Sequence, residues 1–376
     1  MQSISSAFIF CCRAVKLQLH KALEDGVGGV PRAMVASRRP PTIQDVARHA
    51  SVSTATVSRA LSSPERVSVR TRERIDQAIA ATGYTLNQAA QSLRRQRAKT
   101  IVIALPNVGN PFYSTILDAV VMEAGEHGYG VLVANRQPDD PIEWLRDYFF
   151  SSRADGLVLF DATLDAPALQ SQLAAHGDVP FVVVADEVVE PFLNLVTSDN
   201  YDASRRAVQH LVALGHTKIG HLSGPQIGHY RNERTAGFID AMKANDLKLC
   251  DDWLMRGNHV ASSGFAAAEN FLRMTNRPSA LFCANDEMAL GFISRVHQAG
   301  LTCPQDVSLV GFDDISMAEF LSPPLTTMRQ KRNELGRLST EALISLIEGR
   351  RKPQPPFRAT LRCELVVRGS TAPPCS

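Results

Sequence analysis

Seven consecutive residues, Ser53-Thr54-Ala55-Thr56-Val57-Ser58-Arg59, set a row of short hydroxyls and one arginine at the start of a helix-prone stretch. Small polar side chains at a helix N-terminus can approach base edges in a major groove, and an arginine can fork onto guanine. Hydroxyls and backbone amides at the same end suit phosphates. The same residues would equally serve a capped helix in an ordinary three-helix bundle, so type and spacing leave both readings open. Catalytic patterns are missing: there is no G-x-S-x-G, no G-x-x-x-x-G-K-[ST] and no G-x-G-x-x-G. His216 and His221 lie around one strand without an H-E-x-x-H context and are expected to pack structurally. The paired acids Asp139-Asp140 and Asp251-Asp252 read as loop surface. An enzyme, a cofactor and a metal are therefore not expected.

The elements that would position the hydroxyl row come from its neighbours. Thr42, with Asp45 three residues on, has capping-box spacing, and Ile43, Val46, Ala47 and Ala50 form one apolar face. A short turn, Ser51-Val52-Ser53, leads to a helix over 54–61 with Val57 and Leu61 inward. Ser68 caps a third helix with Ile75, Ala78 and Ile79 inward, and Gly83 stops it as a left-handed residue. Helix, short turn, helix is the layout of a helix-turn-helix. Residues 38–99 hold twelve Lys/Arg against four Asp/Glu, a net +8, within a chain of net +2. A basic block on an acidic body suggests a polyanion-binding module joined to something else, although a solvated helical surface has the same composition.

The chain has 376 residues, room for two or three domains. At 44% hydrophobic and 21% charged it can bury full cores, which excludes disorder and a disulfide mini-scaffold. No run approaches the roughly 18 apolar residues of a membrane span. The apolar run Ala7 to Cys12 is short and lacks the flanks of a secretory signal. Seven scattered cysteines without a C-x-x-C pair read as reduced, buried thiols in a cytoplasmic protein. Residues 1–40 read as an extension, either disordered or lying upstream of a true start near Met34; Pro40-Pro41 closes it.

Beyond Lys99 the rhythm changes. Thr100–Leu105, Tyr129–Ala134, Gly156–Phe160, Pro180–Ala185, Ile219–Leu222, Ala280–Cys283 and Val307–Phe312 are apolar strands separated by helical stretches. One of these helices follows the first strand and carries Ile116, Val120, Val121 and Met122. Buried strands alternating with helices mean parallel α/β sheets, and the number of strands calls for two doubly wound subdomains with a ligand cleft between them.

Thr42-Ile-Gln-Asp-Val-Ala47, Val52-Ser-Thr-Ala-Thr-Val-Ser-Arg-Ala-Leu61, Val67-Ser68, Thr71-Arg-Glu-Arg-Ile75 and Gly83-Tyr84 together resemble the DNA-binding headpiece of the lactose/galactose repressor family. Asn87-Gln-Ala-Ala-Gln-Ser-Leu-Arg94 stands where that family has its hinge helix, and the likeness runs from about residue 41 to the C-terminus. Val52–Leu61, Ser322–Thr327 and Cys363–Thr371 are most similar to a nucleoside-responsive member. The resemblance implies a headpiece over 41–86, a hinge helix over 87–98 and an effector and dimerisation domain over 99–371 of the periplasmic-binding-protein type. Its first subdomain would take 99–197 plus 328–356, and its second 198–327 plus 357–371.

The resemblance also supplies roles. Thr54, Ala55 and Arg59 would face bases. Thr42, Ser53, Thr56 and Ser58 would touch phosphates or orient the helix. Tyr84, Asn87 and Ala90 would join the DNA contacts, with Leu93 wedged into the minor groove. In the body, Phe112, Tyr113, Asp161, Arg234, Asn285 and Asp313 match effector-cleft positions. His259 stands where several members stack an aromatic ring. Without the resemblance, Leu93 would read as a linker residue on the core, Asp313 as a helix cap and Arg234 as a surface ion pair. Ser51 departs from the glycine many members place in the turn, at a cost of roughly 1–2 kcal/mol if the backbone there is left-handed.

The function implied is a transcriptional regulator, a repressor of a catabolic operon, binding a palindromic operator as a homodimer. The effector is expected to be a nucleoside or pentose, with another small sugar as the second choice. It would move the subdomains at Leu195–Asp199 and Leu325–Gln330 and so change the separation of two hinge helices. The rival class, a sugar-binding protein of a transport system, predicts a signal peptide and no helix-turn-helix.

Overall fold

A computed structural model describes residues 41–84, 97–135, 148–149, 153–160, 179–184, 192–225, 232–352 and 354–375. The expected roles of Asn87, Ala90, Leu93 and Asp161 fall outside these residues, as do the N-terminal extension and nearly all of the hinge helix. The chain divides into a small N-terminal unit and a large one that begins at Ala89.

The small unit is three helices, α1 (Ile43–His49), α2 (Thr54–Ser62) and α3 (Val69–Thr82), with a 3-10 turn at Pro64–Arg66 between the last two. Each helix has its own start signal. The Asp45 carboxylate accepts from the Thr42 N–H at 2.9 Å and its hydroxyl at 2.7 Å. Ser53 Oγ accepts from the Thr56 N–H at 3.1 Å, and Ser68 Oγ from that of Thr71 at 3.4 Å. These bonds occupy donors that a helix start otherwise leaves unpaired. Gly83 ends α3 at φ 66°, the left-handed stop that glycine takes without strain. Val46, Ala47, Ala50, Val57, Ala60, Ile75 and Ala78 make the core, with Ile43, Leu61 and Ile79 half-buried around it.

The large unit holds two sheets. The first contains β1 (Thr100–Leu105), β2 (Gly130–Asn135), β3 (Gly156–Leu159), β4 (Phe181–Val184) and β5 (Leu195–Ser198). Helix α4 (Phe112–Glu126) lies between β1 and β2 in sequence. After β5 come α5 (Asn200–Ala213), β6 (Ile219–Ser223), α6 (Glu233–Ala244), β7 (Leu254–Arg256), α7 (Ala261–Arg273), β8 (Ala280–Cys283), α8 (Asp286–Gln298), β9 (Ser308–Asp313) and β10 (Thr326–Arg329). The chain then returns through α9 (Arg332–Ile347) to β11 (Arg358–Leu361) and ends at β12 (Glu364–Val366). The strand orders are β11-β5-β4-β3-β1-β2 and β12-β10-β9-β8-β6-β7. Every pair is parallel except β10 with β12.

Side chains alternate across each sheet and both faces are covered. Ile101, Ile103 and Leu105 of β1 pack with Ile116 and Val120 of α4 and with Leu343 and Ile344 of α9, while Val102 and Ala104 join Leu157 and Leu159 on the other face. In the second sheet Leu281, Cys283 and Leu309 meet α7 and α8, while Phe282, Val310 and Phe312 meet α5 and α6. His221 is sandwiched between the rings of Phe238 and Phe282, with centroids 4.9 and 5.1 Å away. His216 bonds Ser279 and the Ala372 carbonyl, both at 2.9 Å.

Three expectations are corrected. Arg358–Leu361 pairs with β5, so it belongs to the first sheet rather than the second, and Thr326–Arg329 lies wholly in the second. The three crossings therefore follow Ser198, Arg329 and Leu361. The half-exposed edge strand Arg-Ala-Thr-Leu carries too few apolar residues to announce its side. In α4, Ile116 and Val120 are buried, but Val121 and Met122 are 51% and 62% exposed, because one residue of helix rotates the side chain about 100° off the inward face. Among the described cysteines, Cys283, Cys303 and Cys363 are buried, Cys250 is half-buried and Cys375 is exposed.

Candidate functional site

On the small unit, α2 presents the hydroxyl row outward. Ser53, Thr54, Ala55 and Arg59 are exposed, Thr56 and Ser58 are half-buried, and Val57 and Ala60 turn into the core. The period of the helix thus separates a polar N-terminal rim from an apolar inner side. Thr56 is held by Ser53 through both its amide and its hydroxyl, the latter at 2.8 Å. Thr42 is committed to Asp45 at the start of α1. Tyr84 rests partly on the core of this unit. Ser51 sits at φ 51°, in the left-handed turn its neighbours imply. Arg70 and Arg74 are exposed on α3, and Arg72 is half-buried there. The unit therefore exposes arginines on α2 and α3 together with the polar start of α2.

In the large unit the polar residues converge where the strands of the two sheets end and the chain crosses. Asp313 is the last residue of β9, at φ 115° and 4% exposed. It accepts from Gln330 Nε2 at 2.7 Å and faces Arg234 Nη1 at 3.7 Å. Gln330 in turn accepts from Ser198 Oγ at 2.6 Å. Arg234, on the first turn of α6, donates through Nε to Asn200 at 2.9 Å and through Nη1 to the Ala284 carbonyl at 2.6 Å. Its guanidinium lies 3.9 Å from the Phe312 ring centre. Ser198–Gln330–Asp313–Arg234–Asn200 is thus one buried relay that ties two crossings to the ends of β9 and α6. A charge buried this deeply is tolerated only when paired and hydrogen-bonded, as Arg234 is.

Beside it lies a second group. Asn285 caps α8, accepting from the Met288 N–H at 3.0 Å, and its Nδ2 donates to the His259 carbonyl at 3.0 Å. Asn110, from the first subdomain, donates to that same carbonyl at 3.5 Å. Its Oδ1 also accepts from the Phe112 N–H at 2.9 Å, which fixes the start of α4. Phe112 packs on the cores of both subdomains, and Tyr113 stands edge-on to Phe112 and Phe160. The structure thus gathers Phe112, Tyr113, His259 and Asn285 into one contact group, and Arg234 and Asp313 into the buried relay beside it.

His259 has φ 65°, and its ring lies over Gly224, where an added Cβ would fall 2.2 Å from Nε2. The ring therefore packs against the Gly224 backbone. Five participants were not expected as site residues from the sequence: Asn110, Ser198, Asn200, Asp286 and Gln330. Ser198 and Gln330 lie inside the crossing segments already marked, which was the available signal. Asp286 is fully buried and accepts from Thr327 Oγ1 at 2.6 Å and the Ile315 N–H at 2.9 Å. Burial, and then the charge of Asp313, push its carboxyl well above the ordinary aspartate range.

Two family descriptions match the chain. "Bacterial regulatory proteins, lacI family" covers residues 42–87, and "periplasmic binding protein-like domain" covers 208–371. The HTH-type transcriptional repressor CytR of Escherichia coli (strain K12) is 34% identical over 336 residues, 88% of this chain and 96% of the relative. Among solved structures, the lac repressor dimer bound to operator and the anti-inducer ONPF is similar at TM-score 0.79 and 30% identity, over 89% of this chain and all of that one. A LacI family transcriptional regulator from Enterococcus faecium with bound ribose aligns at TM-score 0.65 and 27% identity, over 73% of this chain and 99% of that one.

Proposed function

The chain belongs to the lacI family of bacterial regulatory proteins, and from that premise we propose that it is a cytoplasmic repressor of a catabolic operon, released or tightened on its operator by a small ligand in the cleft. The observation that carries the reading is the buried relay from Ser198 through Gln330 and Asp313 to Arg234, which ties two of the crossings to the carboxyl end of β9 and the start of α6. A ligand that exchanges its own hydroxyls for any of these bonds has different affinity for different arrangements of the subdomains. That difference is what a switch requires.

The exposed Ser53, Thr54, Ala55 and Arg59 support base and phosphate contact by α2. Val121 and Met122, exposed on α4, support pairing with a second copy, and the relative seen as a dimer on operator supports the same assembly. Two headpieces on a two-fold axis call for a palindromic site. The first-choice effector is a nucleoside or a pentose. A carboxylate, a fork-shaped arginine and an amide suit vicinal hydroxyls, and Phe112 and Tyr113 suit the apolar face of a ring. The relative that holds ribose supports the pentose arm. Another small sugar is the second choice.

The experiment is an operator titration of the full chain by fluorescence anisotropy, with nucleosides, pentoses and hexoses added in turn. The expected result is at least a fivefold change in operator affinity with one member of the first two groups. Operator affinity unmoved by every compound overturns the switch, and a response to hexoses alone transfers the specificity to the second choice.

A further inference from the structure

We propose that the effector carries an oxyanion and that Arg332 reads it. This rests on the cleft reading above and narrows its ligand class. Arg332 is the first residue of α9, directly after the second crossing. Its Nη2 donates to the Asp314 carbonyl at 2.7 Å, which holds the guanidinium at the carboxyl end of β9, next to Asp313. The side chain is half-buried, and its Nη1 is closed off from solvent and meets no acceptor among the described residues.

The carboxylates of that corner are already engaged. Asp314 receives Arg329 Nε on one oxygen at 2.6 Å and Arg368 Nη2 on the other at 2.7 Å. Asp313 receives Gln330 and faces Arg234. Asp286, the third acid there, spends its oxygens on Thr327 and Ile315 and is held toward its neutral form. Among the described residues, four guanidiniums therefore gather around Asp313 and Asp314, and Arg332 is the one with a sealed nitrogen lacking an acceptor.

A buried cationic donor without an acceptor is costly, and an incoming oxygen bearing charge removes that cost most completely. A guanidinium fork fits carboxylate and phosphate geometry alike. The ligand chemistry is thus an oxyanion on a small sugar or nucleoside, supplied either as a phosphate ester or as a sugar acid. Neutral analogues would leave Nη1 unpaired, which is where discrimination arises.

The test uses the full chain and matched pairs: ribose with ribose 5-phosphate, a nucleoside with its 5′-monophosphate, and glucose with glucuronate, each by calorimetry. The expected result is that one anionic member binds at least tenfold more tightly than its neutral partner. The pair that responds identifies phosphate or carboxylate as the source. Arg332→Gln is expected to erase that preference and Arg332→Lys to restore part of it, with both variants still folding cooperatively without ligand. If Arg332→Gln does not fold, the Arg332→Lys result decides, since loss of the fork should still cost several-fold. Equal binding of both members of every pair, no binding by any anionic member, or an anion preference that survives both variants overturns the proposal. A preference lost in Arg332→Gln yet indifferent to Arg234→Met would instead move the site out of the cleft and overturn the reading beneath it.

Discussion

Arg74 of α3 closes its guanidinium on the carbonyls of Ala50 and Ser51, the two residues that bend the chain between α1 and α2. The turn therefore has an external brace from a helix some twenty residues away, and that brace coincides with the one backbone position in the headpiece where a serine stands at φ 51°. Tertiary support holds a conformation that local preference disfavours.

Ser51→Gly should relieve that strain. The gain from the left-handed backbone, roughly 1–2 kcal/mol, is partly offset by the extra freedom glycine has when unfolded, leaving about 0.5–1 kcal/mol. Amide exchange of the α1 and α2 core should slow about two- to fivefold, and unchanged or faster exchange would show that Arg74 already removes the cost.

Arg59→Ala should relax base preference, with a loss of about 1–3 kcal/mol of discrimination at one operator position. Competition binding against single-base operator variants measures it. Retention of the full preference would mean that α2 meets the groove in another orientation.

Arg234→Met keeps the bulk of the side chain and removes the charge. It should weaken effector binding by about 3 kcal/mol, roughly a hundredfold, while the operator is still bound without effector. It also leaves Asp313 with one fewer partner, so the melting temperature should fall. Effector affinity equal to that of the unaltered protein would exclude Arg234 from the cleft's chemistry.

His221 gives the body a pH dependence with a definite sign. Burial between Phe238 and Phe282 lowers its pKa from 6.5 to about 4, so the folded state keeps the ring neutral where the unfolded chain is protonated. Between pH 6.5 and 4 the unfolded state binds the extra proton. Stability therefore falls as pH drops through that window, by up to ~1.4 kcal/mol per pH unit. Above pH 6.5 this contribution is complete and flat. Denaturant titrations of the body at pH 7, 6 and 5 should show the slope, and His221→Gln should flatten it.

The headpiece was legible almost residue by residue, because caps, turn and apolar spacing are local properties that one stretch of sequence states completely. Strands such as Thr100–Leu105 and Ala280–Cys283 were legible for the same reason: a run buried on both faces has no polar residues to blur it. The lost information is relational. Arg358–Leu361 alternates on an exposed edge and says nothing of which sheet it will join. The partnership of Ser198 with Gln330 spans 132 residues, and no spacing rule reaches that far. His259 was expected at the cleft from its position, but its left-handed backbone and its seat over Gly224 depend on two loops meeting. Asp286 carries no local signal in the sequence, and only its burial beside Asp313 distinguishes it.

The placement of β11 and β12 has a consequence for biosynthesis. Each forms one edge of its sheet, and both come from the single stretch that follows α9, after every strand they pair with. Until Arg358–Leu361 and Glu364–Val366 emerge, both sheets of a nascent body expose an unfinished edge, open to pairing with any other chain. A message cut short near its end, or a protease acting after Arg351, would leave neither subdomain whole. Neither subdomain can be released as a working fragment either, because each is assembled from separated stretches of one polypeptide. Quality control of this regulator thus turns on one short stretch: docking of β11 and β12 is the moment at which both sheets are completed.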